Sequence, residues 1–363
     1  MRRNFLMKKI TFLLFLVSFV SVAQHTDPAT VNADANDKGI KEQVKEFIDH
    51  HLQDSYSFDL FSYTDNTGGK VHIGFPLPVI LWDGGLKVFS SSKFHYGETV
   101  AEVSGNYYKI FHNKIYKTDV HGLINMDELH HPTNVKPLDF SFTKAISFVF
   151  LVSLLMFLMF KKMAKNYEKN AIPKGMGRFL EPIILYIRDD IAIPNIGKKH
   201  YKRYMSYLLT IFFFVWIINL LGLTPLGVNV TNNIAITFTL AIITYIITTL
   251  TANKNYWKHI FWMPGVPVPM KIILAPIELL GTFIKPFALM IRLYANITAG
   301  HIVLMSIIGM MFVFHNWIGS SLSFVLAFIL SLLELLVAAL QAYIFTMLSS
   351  LYFGAAVEDH DNH

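Results

Sequence analysis

The sequence contains no cysteine among its 363 residues. Disulfides, thiolate metal sites and cysteine nucleophiles are therefore excluded. Charged residues are scarce, at 15% of the chain, whereas a soluble protein typically carries about 25%. Glycine-rich phosphate loops and nucleophile elbows are also missing. Hydrophobic residues make up 53% of the chain, and the mean hydropathy is +0.43. This composition indicates membrane spans rather than one large soluble core.

The net charge of +6 could suggest nucleic acid or anionic lipid as a partner. The basic residues, however, cluster in one loop between apolar segments, and they form no aromatic-rich basic face. We therefore predict a lipid bilayer, and no nucleic acid, as the surroundings of this chain.

The N-terminus has the pattern of a secretory signal peptide. Four basic residues precede an apolar run, 10–20, and the small residues Ser21 and Ala23 follow at the positions of a cleavage site. We predict a signal peptide at 1–23. An uncleaved N-terminal anchor is the alternative, and in both cases the residues after Gln24 lie outside the cytoplasm.

Residues 24–140 are more polar and predict a small extracytoplasmic domain, α+β or mostly β. Residues 25–37 have the composition of a linker, and the apolar spacing over 39–52 predicts a short amphipathic helix. Asp83-Gly84 separates two β-rich runs, which indicates a hairpin. A metal site is a further alternative because this region is rich in histidine, namely at His50, His51, His72, His95, His112, His121, His130 and His131. None of their spacings matches a known site.

Five long apolar segments follow, and they predict an all-α integral membrane domain at 141–363. They cover about 143–160, 205–224, 232–251, 272–312 and 316–353. The first three are close to the ~20 residues that cross a hydrocarbon core about 30 Å thick. The last two are much longer, so we expect a strongly tilted C-terminal hairpin or partial burial against other protein.

The charges of the loops predict the orientation. Eleven Lys and Arg residues between the first two spans face only four acidic residues, and Lys254 and Lys258 follow the third span. These loops therefore belong in the cytoplasm. The loops near 225–231 and 315–319 contain no Lys or Arg, as expected outside. The C-terminus is then cytoplasmic.

The last two segments carry ionisable residues at membrane depth, where such groups mark pathways or partners. They are Glu278, Lys285, Arg292, His301 and Glu334, with Asn296 and Gln341 as neutral companions. At 100° per residue, Glu278, Arg292 and Asn296 fall within about 80° of one another, and His301 points to the opposite side.

Two interpretations of this pattern remain open from the spacing alone. Arg292 could pair with Glu334 or Glu278 and clamp the helices together. Alternatively, His301 could meet Glu334 across a helix pair and transfer protons. Arg292 cannot share that second role, because its guanidinium stays protonated and acts as a permanent positive charge.

The motifs from about residue 135 to the end of the chain resemble subunit a of F-type ATP synthases. "KPFALMIRLYANITAGHIV" and "ELLVAALQAYIFTMLSSLYF" resemble the two C-terminal helices of that family. "YIRDDIAIPNIGKKHYKRYMSYLLTIFFFVWIINLLGLTPLG" is similar to its second span with the preceding loop, and "NVTNNIAITFTLAIITYI" to its third. The resemblance starts at about residue 135. The region 24–135 departs from the usual short N-terminus.

The resemblance implies roles for matched residues. Arg292 matches the essential arginine that faces the proton-carrying carboxylates of the c-ring. Glu278, Asn296 and Gln341 match polar positions along two access half-channels. His301 and Glu334 match a pair that some bacterial members carry in the opposite order, with the acid first.

The resemblance also implies partners and a location. The c-subunit ring, b-type peripheral stalk subunits and the F1 catalytic head would be the partners, in the bacterial inner membrane with residues 24–140 in the periplasm. The chain would be a non-catalytic channel subunit without cofactor or metal. Two rival functions are a membrane-embedded enzyme, which needs a catalytic constellation that the spans lack, and an anchored periplasmic binding protein, which leaves Arg292 unexplained.

Overall fold

The computed structural model describes residues 54–64, 70–97, 99–128, 131–169, 175–224, 228, 230–263, 266–313 and 317–358. These residues divide into two compact units. The β unit comprises Ser55–Thr143, and the helical unit comprises Asp54 and the residues from Lys144 onward. The predicted signal peptide at 1–23, linker at 25–37 and amphipathic helix at 39–52 lie outside the described residues.

The β unit consists of short antiparallel strands. The strands are β1 Ser57–Thr64, β2 Lys70–Pro76, β3 Pro78–Trp82, β4 Leu86–Ser90, β5 Ala101–Val103, β6 Asn106–Phe111, β7 Lys114–Thr118 and β8 Leu138–Asp139. β1 pairs with β2, β3 lies between β4 and β8, and β6 lies between β5 and β7. A 3₁₀ segment, Ser91–Gly97, follows β4.

The hairpin predicted at Asp83-Gly84 is confirmed. Trp82 pairs with Leu86 across it, so the connection is Asp83-Gly84-Gly85. Gly84 has a φ of 65° and Gly85 a φ of 153°, which residues with a side chain rarely adopt. The sequence signal worked here because glycine is needed by the turn itself rather than by distant packing.

A partly buried polar link connects the core of the β unit to the hairpin turn. The apolar members of this core are Tyr56, Val79, Leu81, Phe89, Phe94, Ala101, Tyr108 and Ile115. The hydroxyl of the buried Tyr108 donates to Asp83 Oδ2 at 2.8 Å, and Lys117 Nζ lies 2.9 Å from the same oxygen. The bond from Lys117, followed by that from Tyr108, lowers the pKa of Asp83. The hairpin turn is thereby tied to β6 and β7.

The helical unit contains five helices long and apolar enough to cross a membrane within the described residues. The helices of this unit are α1 Lys144–Lys169, α2 Met176–Tyr186, α3 Ile193–Ile196, α4 Tyr201–Gly222, α5 Ile234–Thr251, α6 Lys254–Phe261, α7 Val268–Val313 and α8 Trp317–Val357. The five long apolar helices are α1, α4, α5, α7 and α8, which confirms the five predicted segments. A turn of π-helix, Ile187–Ala192, joins α2 to α3.

Some boundaries differ from the sequence prediction. Helix α1 continues to Lys169 through a charged stretch, because the side chains there favour helix although they end the apolar run. Helix α7 is continuous through Pro276 and Pro286, since neighbouring helices in membrane proteins can accommodate the freed backbone groups. Helices α2 and α6, which lie between membrane-spanning helices, were not predicted. Their charged residues led us to interpret these regions as loops.

The last two helices are far longer than one bilayer crossing. Helix α7 has 46 residues and α8 has 41, so they extend about 69 and 62 Å at ~1.5 Å per residue. They pack against each other, while α4 also packs on α8 and α5 on α7. The hydrocarbon core is only about 30 Å thick. Two upright helices of this length therefore do not fit inside it.

Gly354 of α8 lies directly against the backbone of α3. A methyl group at Gly354 would overlap the carbonyl oxygen of Asn195. Nearby, Asn195 Nδ2 donates to Ser350 Oγ at 2.8 Å and approaches Met347 Sδ at 3.2 Å. The close approach therefore requires glycine, because a backbone carbonyl cannot move aside like the end of a side chain.

We expect Gly354→Ala to destabilise the helical unit by about 1–3 kcal/mol, as overpacked interiors do. The measurement is the thermal unfolding midpoint of the purified chain in detergent. Gly281→Ala is the matched control, because Gly281 is also helical and has no atom within 4 Å of an added methyl group. Equal midpoints for both variants would show that the α3 contact is not required.

Candidate functional site

Arg292 is an exposed side chain in the middle of the membrane-spanning helix α7. Within the described part of the chain it forms no ion pair at or below 4.0 Å, neither with Glu278 nor with Glu334. Tyr352 of α8 is near enough to feel its charge. The internal-clamp interpretation is therefore wrong for this chain, and the guanidinium faces outward from it.

Asn296 accompanies Arg292 on the same exposed surface. It follows Arg292 by one helical turn and is also exposed, as residues at i and i+4 share a face. Glu278 is half-buried and 14 residues earlier, about 21 Å along the helix. It lies within electrostatic range of Tyr256 of α6. The structure thus brings Asn296 to Arg292 and leaves Glu278 apart.

The other three predicted site residues are buried, and we call two of them, His301 and Glu334, the Glu334 cluster. His301 is 7% exposed, Glu334 8% and Gln341 3%. An added methyl group on Gly300, the residue before His301, would lie 2.7 Å from Glu334 Oε1. Glu334 of α8 therefore packs against α7 at the level of His301, and glycine makes the room for the carboxyl group.

No hydrogen bond joins His301 to Glu334 among the described residues. Glu334 Oε2 is buried and has no hydrogen-bond partner there. Burying a carboxyl oxygen without a hydrogen-bond partner lowers the stability of the fold. Glu334 is therefore not explained by a contribution to stability. Direct pairing of His301 with Glu334 stays a prediction, while their placement at one level of the helix pair is observed.

Polar side chains that the sequence analysis did not select lie on α4, on α7 and in the 3₁₀ turn Val230–Asn232. Thr298 Oγ1 donates to Asn232 Oδ1 at 2.5 Å, and Thr231 Oγ1 donates to Asn219 Oδ1 at 3.0 Å. Asn219 is 4% exposed, and its Nδ2 has no partner among the described residues. An asparagine within an apolar span was a signal that could have identified this residue.

A second polar region, which we call the Lys285 pocket, lies between α5, α6, α7 and α8. Lys285 Nζ lies 5.7 Å from the ring centre of Tyr352, and Tyr207 shares a 2.7 Å hydrogen bond with Thr244. The pocket is lined by Ala241, Thr244, Tyr245, Thr248, Tyr256, Thr282, Lys285, Pro286, Leu289 and Tyr352. The polar groups of this lining are the hydroxyl groups of its threonines and tyrosines and the ammonium group of Lys285.

Arg292 lies between these two regions along α7. Lys285 is seven residues before it and His301 nine residues after it, or about 10 and 13 Å at ~1.5 Å per residue. The Lys285 pocket is lined by four helices, and the Glu334 cluster is buried where α7 and α8 meet. Arg292, in contrast, is exposed on the outside of the helix pair. A fixed positive charge therefore separates two polar regions at membrane depth.

The histidines of the β unit do not assemble into a recognisable metal site in the residues that can be described. No group of three or more His, Asp or Glu side chains there could hold a metal ion. His50, His51 and His130 lie outside the described residues. Nothing in the described geometry therefore favours the alternative of a metal site.

Comparison with known proteins gives two matches to family models. Residues 146–354 match the ATP synthase A chain family. Residues 47–140 match a domain of unknown function (DUF8433). The first match covers the five membrane-spanning helices, except for the start of α1 and the end of α8. The second match coincides with most of the β unit.

Curated relatives agree with the first match. ATP synthase subunit a of Chloroherpeton thalassium is 42% identical over 233 residues, which cover 62% of this chain and 69% of the relative. Subunit a 2 of Chlorobaculum tepidum is 41% identical over 65% of this chain and 69% of its own length. Subunit a of an Anaeromyxobacter species is 32% identical over 92% of this chain and 76% of its own. This multi-pass membrane protein therefore belongs to the ATP synthase A chain family.

Proposed function

We propose that this chain is the proton-translocating stator subunit of the Fo sector of an F-type ATP synthase. The observation that supports this most is the position of Arg292, which has no ion-pair partner among the described residues and lies between the two polar regions along α7. A charged side chain exposed to lipid is costly, so its counter-charge must come from another chain. A carboxylate on the ring of c subunits fits this requirement.

The two polar regions are proposed to be half-channels. The Glu334 cluster, with Asn219 and Thr298 nearby, would admit protons from outside the cell. The Lys285 pocket, with Glu278 and Tyr256 close to its cytoplasmic end, would release them. Each region would reach the ring surface beside Arg292 without joining the other, so a proton could cross only by travelling with the ring.

The order of the proposed steps follows from the charge of the c-ring carboxylate and from that of Arg292. A c-ring carboxylate that accepts a proton from the Glu334 side becomes neutral and can turn into lipid, where the ionised form would cost several kcal/mol. At the other half-channel the field of Arg292 favours the ionised carboxylate and hence proton release. The membrane potential supplies about 2.3 kcal/mol per charge per 100 mV. Proton flow thereby drives rotation and ATP synthesis.

The long helices α7 and α8 are proposed to form a tilted hairpin along the ring. Their lengths support this arrangement, because neither helix fits upright in the bilayer. Peripheral stalk subunits of the b type would hold the chain against rotation, and the F1 head would be reached through the complex. The chain itself would carry no catalytic residue and would need no cofactor.

The orientation follows from the loop charges and from the proposed signal peptide at 1–23. We propose that residues 24–140 lie in the periplasm, that the spans at 141–363 lie in the inner membrane and that the C-terminus is cytoplasmic. Lys254 and Lys258 precede α7. Their charge supports an orientation in which the Lys285 pocket would lie nearer the cytoplasm and the Glu334 cluster nearer the outside.

Single cysteines test the half-channels, because the chain contains no native cysteine. Thr248→Cys in the Lys285 pocket should react with a small water-soluble thiol reagent added from the cytoplasmic side of sealed vesicles. Thr298→Cys should react with the same reagent from the opposite side. Both should also lose ATP-driven proton pumping on modification, since the reagent would block the path.

Leu250→Cys and Ile302→Cys are the matched controls. Each is within four residues of a test position on the same helix, and both side chains are apolar and exposed in the isolated chain. In the membrane they should face lipid or protein and should react slowly. Reaction of Thr248→Cys and Thr298→Cys from one and the same side would contradict the two-channel proposal.

A further inference from the structure

One face of the β4–β3–β8 sheet is apolar and is not covered by any of the described residues, and we call it the outer sheet face. It contains Trp82 of β3, Leu86 and Val88 of β4, and Leu138 and Phe140 of the β8 segment. Their exposed fractions are 53%, 63%, 59%, 64% and 65%. The core of the β unit lies on the other face, where Val79, Leu81 and Phe89 are buried.

The strand register shows that these five side chains share a single surface. Trp82 is paired with both Leu86 and Leu138, and Val88 is paired with Ile80. The amide of Phe140 bonds to the carbonyl of Ile80, which extends the same ladder. Partners across a strand pair point to the same side of a sheet. The side chains therefore form one continuous patch rather than scattered exposed residues.

The charged residues of these strands lie on the other face. Lys87 alternates with Leu86 and Val88, and its Nζ donates to the buried Tyr108 hydroxyl at 2.8 Å. Asp139 alternates with Leu138 and Phe140, and it accepts a hydrogen bond from the Tyr56 hydroxyl. A large apolar patch without charges marks a surface that contacts protein or membrane.

The covalent path from this patch to the membrane is short. Phe140 precedes Lys144, where the first membrane-spanning helix begins, by four residues. Four extended residues cover at most about 14 Å. The β8 segment, which supplies two of the five apolar side chains, is therefore held within reach of the bilayer surface. Tryptophan and phenylalanine are also side chains that suit the membrane–water interface.

We propose that the outer sheet face docks onto the lipid surface of the bilayer that the chain spans. The lipid would cover Trp82, Leu86, Val88, Leu138 and Phe140 to the depth of the headgroup–acyl boundary. The β unit would then be a membrane-associated module, held at the bilayer by its apolar face as well as by its connection to α1. This proposal does not depend on proton translocation.

Spin labels at single cysteines test the proposal in the full complex reconstituted into lipid vesicles. Val88→Cys and Leu138→Cys place labels on the outer sheet face. Glu102→Cys, an exposed position of β5, is the reference for water, and Leu158→Cys, an exposed position of the first span, is the reference for lipid. The measurement is the collision rate of each label with oxygen and with a water-soluble nickel chelate.

We expect the oxygen-to-nickel collision ratio at Val88→Cys and Leu138→Cys to be several-fold higher than at Glu102→Cys and close to that at Leu158→Cys. Low collision rates with both reagents would mean that protein covers the face, either another subunit or another part of this chain. A ratio equal to that at Glu102→Cys would mean that water covers it. Either of these two results would overturn the proposal.

A charge on the face provides a second measurement that does not rely on one label. Val88 is a surface residue, so Val88→Glu should leave the core of the β unit intact. With Val88→Glu present, the label at Leu138→Cys should lose most of its oxygen preference, because a carboxylate resists insertion into lipid. An unchanged ratio at Leu138→Cys in that double variant would contradict lipid docking.

Discussion

Replacing Arg292 by alanine is expected to abolish ATP-driven proton pumping in membrane vesicles. The guanidinium is the fixed positive charge between the Glu334 cluster and the Lys285 pocket, and no carboxylate of the described residues neutralises it through an ion pair. Without it, the ring carboxylate loses the field that favours proton release. The polar regions also lose the barrier that separates them, so protons should leak without rotation.

Arg292→Lys should also fail or be severely impaired. Lysine keeps one positive charge, but its ammonium group is a flexible point charge that can lose its proton. Quenching of a pH-sensitive dye on addition of ATP measures pumping, and recovery of the c-ring with the tagged chain measures assembly. Arg178→Ala, an exposed arginine of α2 outside the spans, is the control for loss of charge as such.

The expected pattern for Arg292→Ala is full assembly with pumping at background level. Normal pumping by an assembled Arg292→Ala complex would refute the assignment of this residue. Failure to assemble would instead show that Arg292 is needed to dock the ring, and Arg292→Gln, which keeps a long polar side chain, would then separate docking from transport.

Removing either His301 or Glu334 is expected to reduce proton pumping by about 100-fold or more, as loss of a proton-transferring side chain does. Both residues are buried at one level of the α7–α8 pair, and Gly300 makes room for the Glu334 carboxyl group. His301→Ala and Glu334→Gln each leave only one group able to carry a proton. Pumping and assembly are measured as for Arg292.

An exchange of the two residues distinguishes proton transfer from packing. The double variant His301→Glu with Glu334→His retains one acid and one imidazole, and it should pump better than either single substitution. Ile302→Ala, one residue after His301 and exposed, is the control for a change in α7. If His301→Ala pumps normally, the buried pair serves packing and the proposed outer half-channel needs another route.

The membrane spans could be predicted because their signal is local. Each of the five helices is a run of apolar residues whose transfer into lipid is favourable whatever surrounds it. The hairpin at Asp83-Gly84-Gly85 could be predicted in the same way, because its glycines are a local signal for a turn. Helix α6 could not be predicted, because its eight residues contain both basic and aromatic side chains and no long apolar run. Its placement depends on packing against α7.

The candidate site could be predicted in part. Helical geometry alone placed Arg292 and His301 on opposite sides of one helix, and the structure shows Arg292 exposed and His301 buried. The spacing also placed Glu278 on the face of Arg292, but about 21 Å separates them along the helix. Tyr256 and Tyr352 were not predicted as site residues. In a sequence rich in aromatic residues nothing distinguishes these two tyrosines, and only the packing of several helices brings them to one pocket.

By itself the sequence determined that this chain has five apolar segments long enough to cross a membrane, that one of the last two carries a permanent charge and that these last two are too long to stand upright in a bilayer. These properties follow from the chemistry of each residue and from the fixed geometry of a helix. Only the tertiary structure decided that Arg292 has no ion-pair partner among the described residues, that Glu334 packs against α7 at the level of His301 and that no described residue covers one face of the β4–β3–β8 sheet. Such features depend on which faces of distant segments meet, and a local pattern does not contain that information.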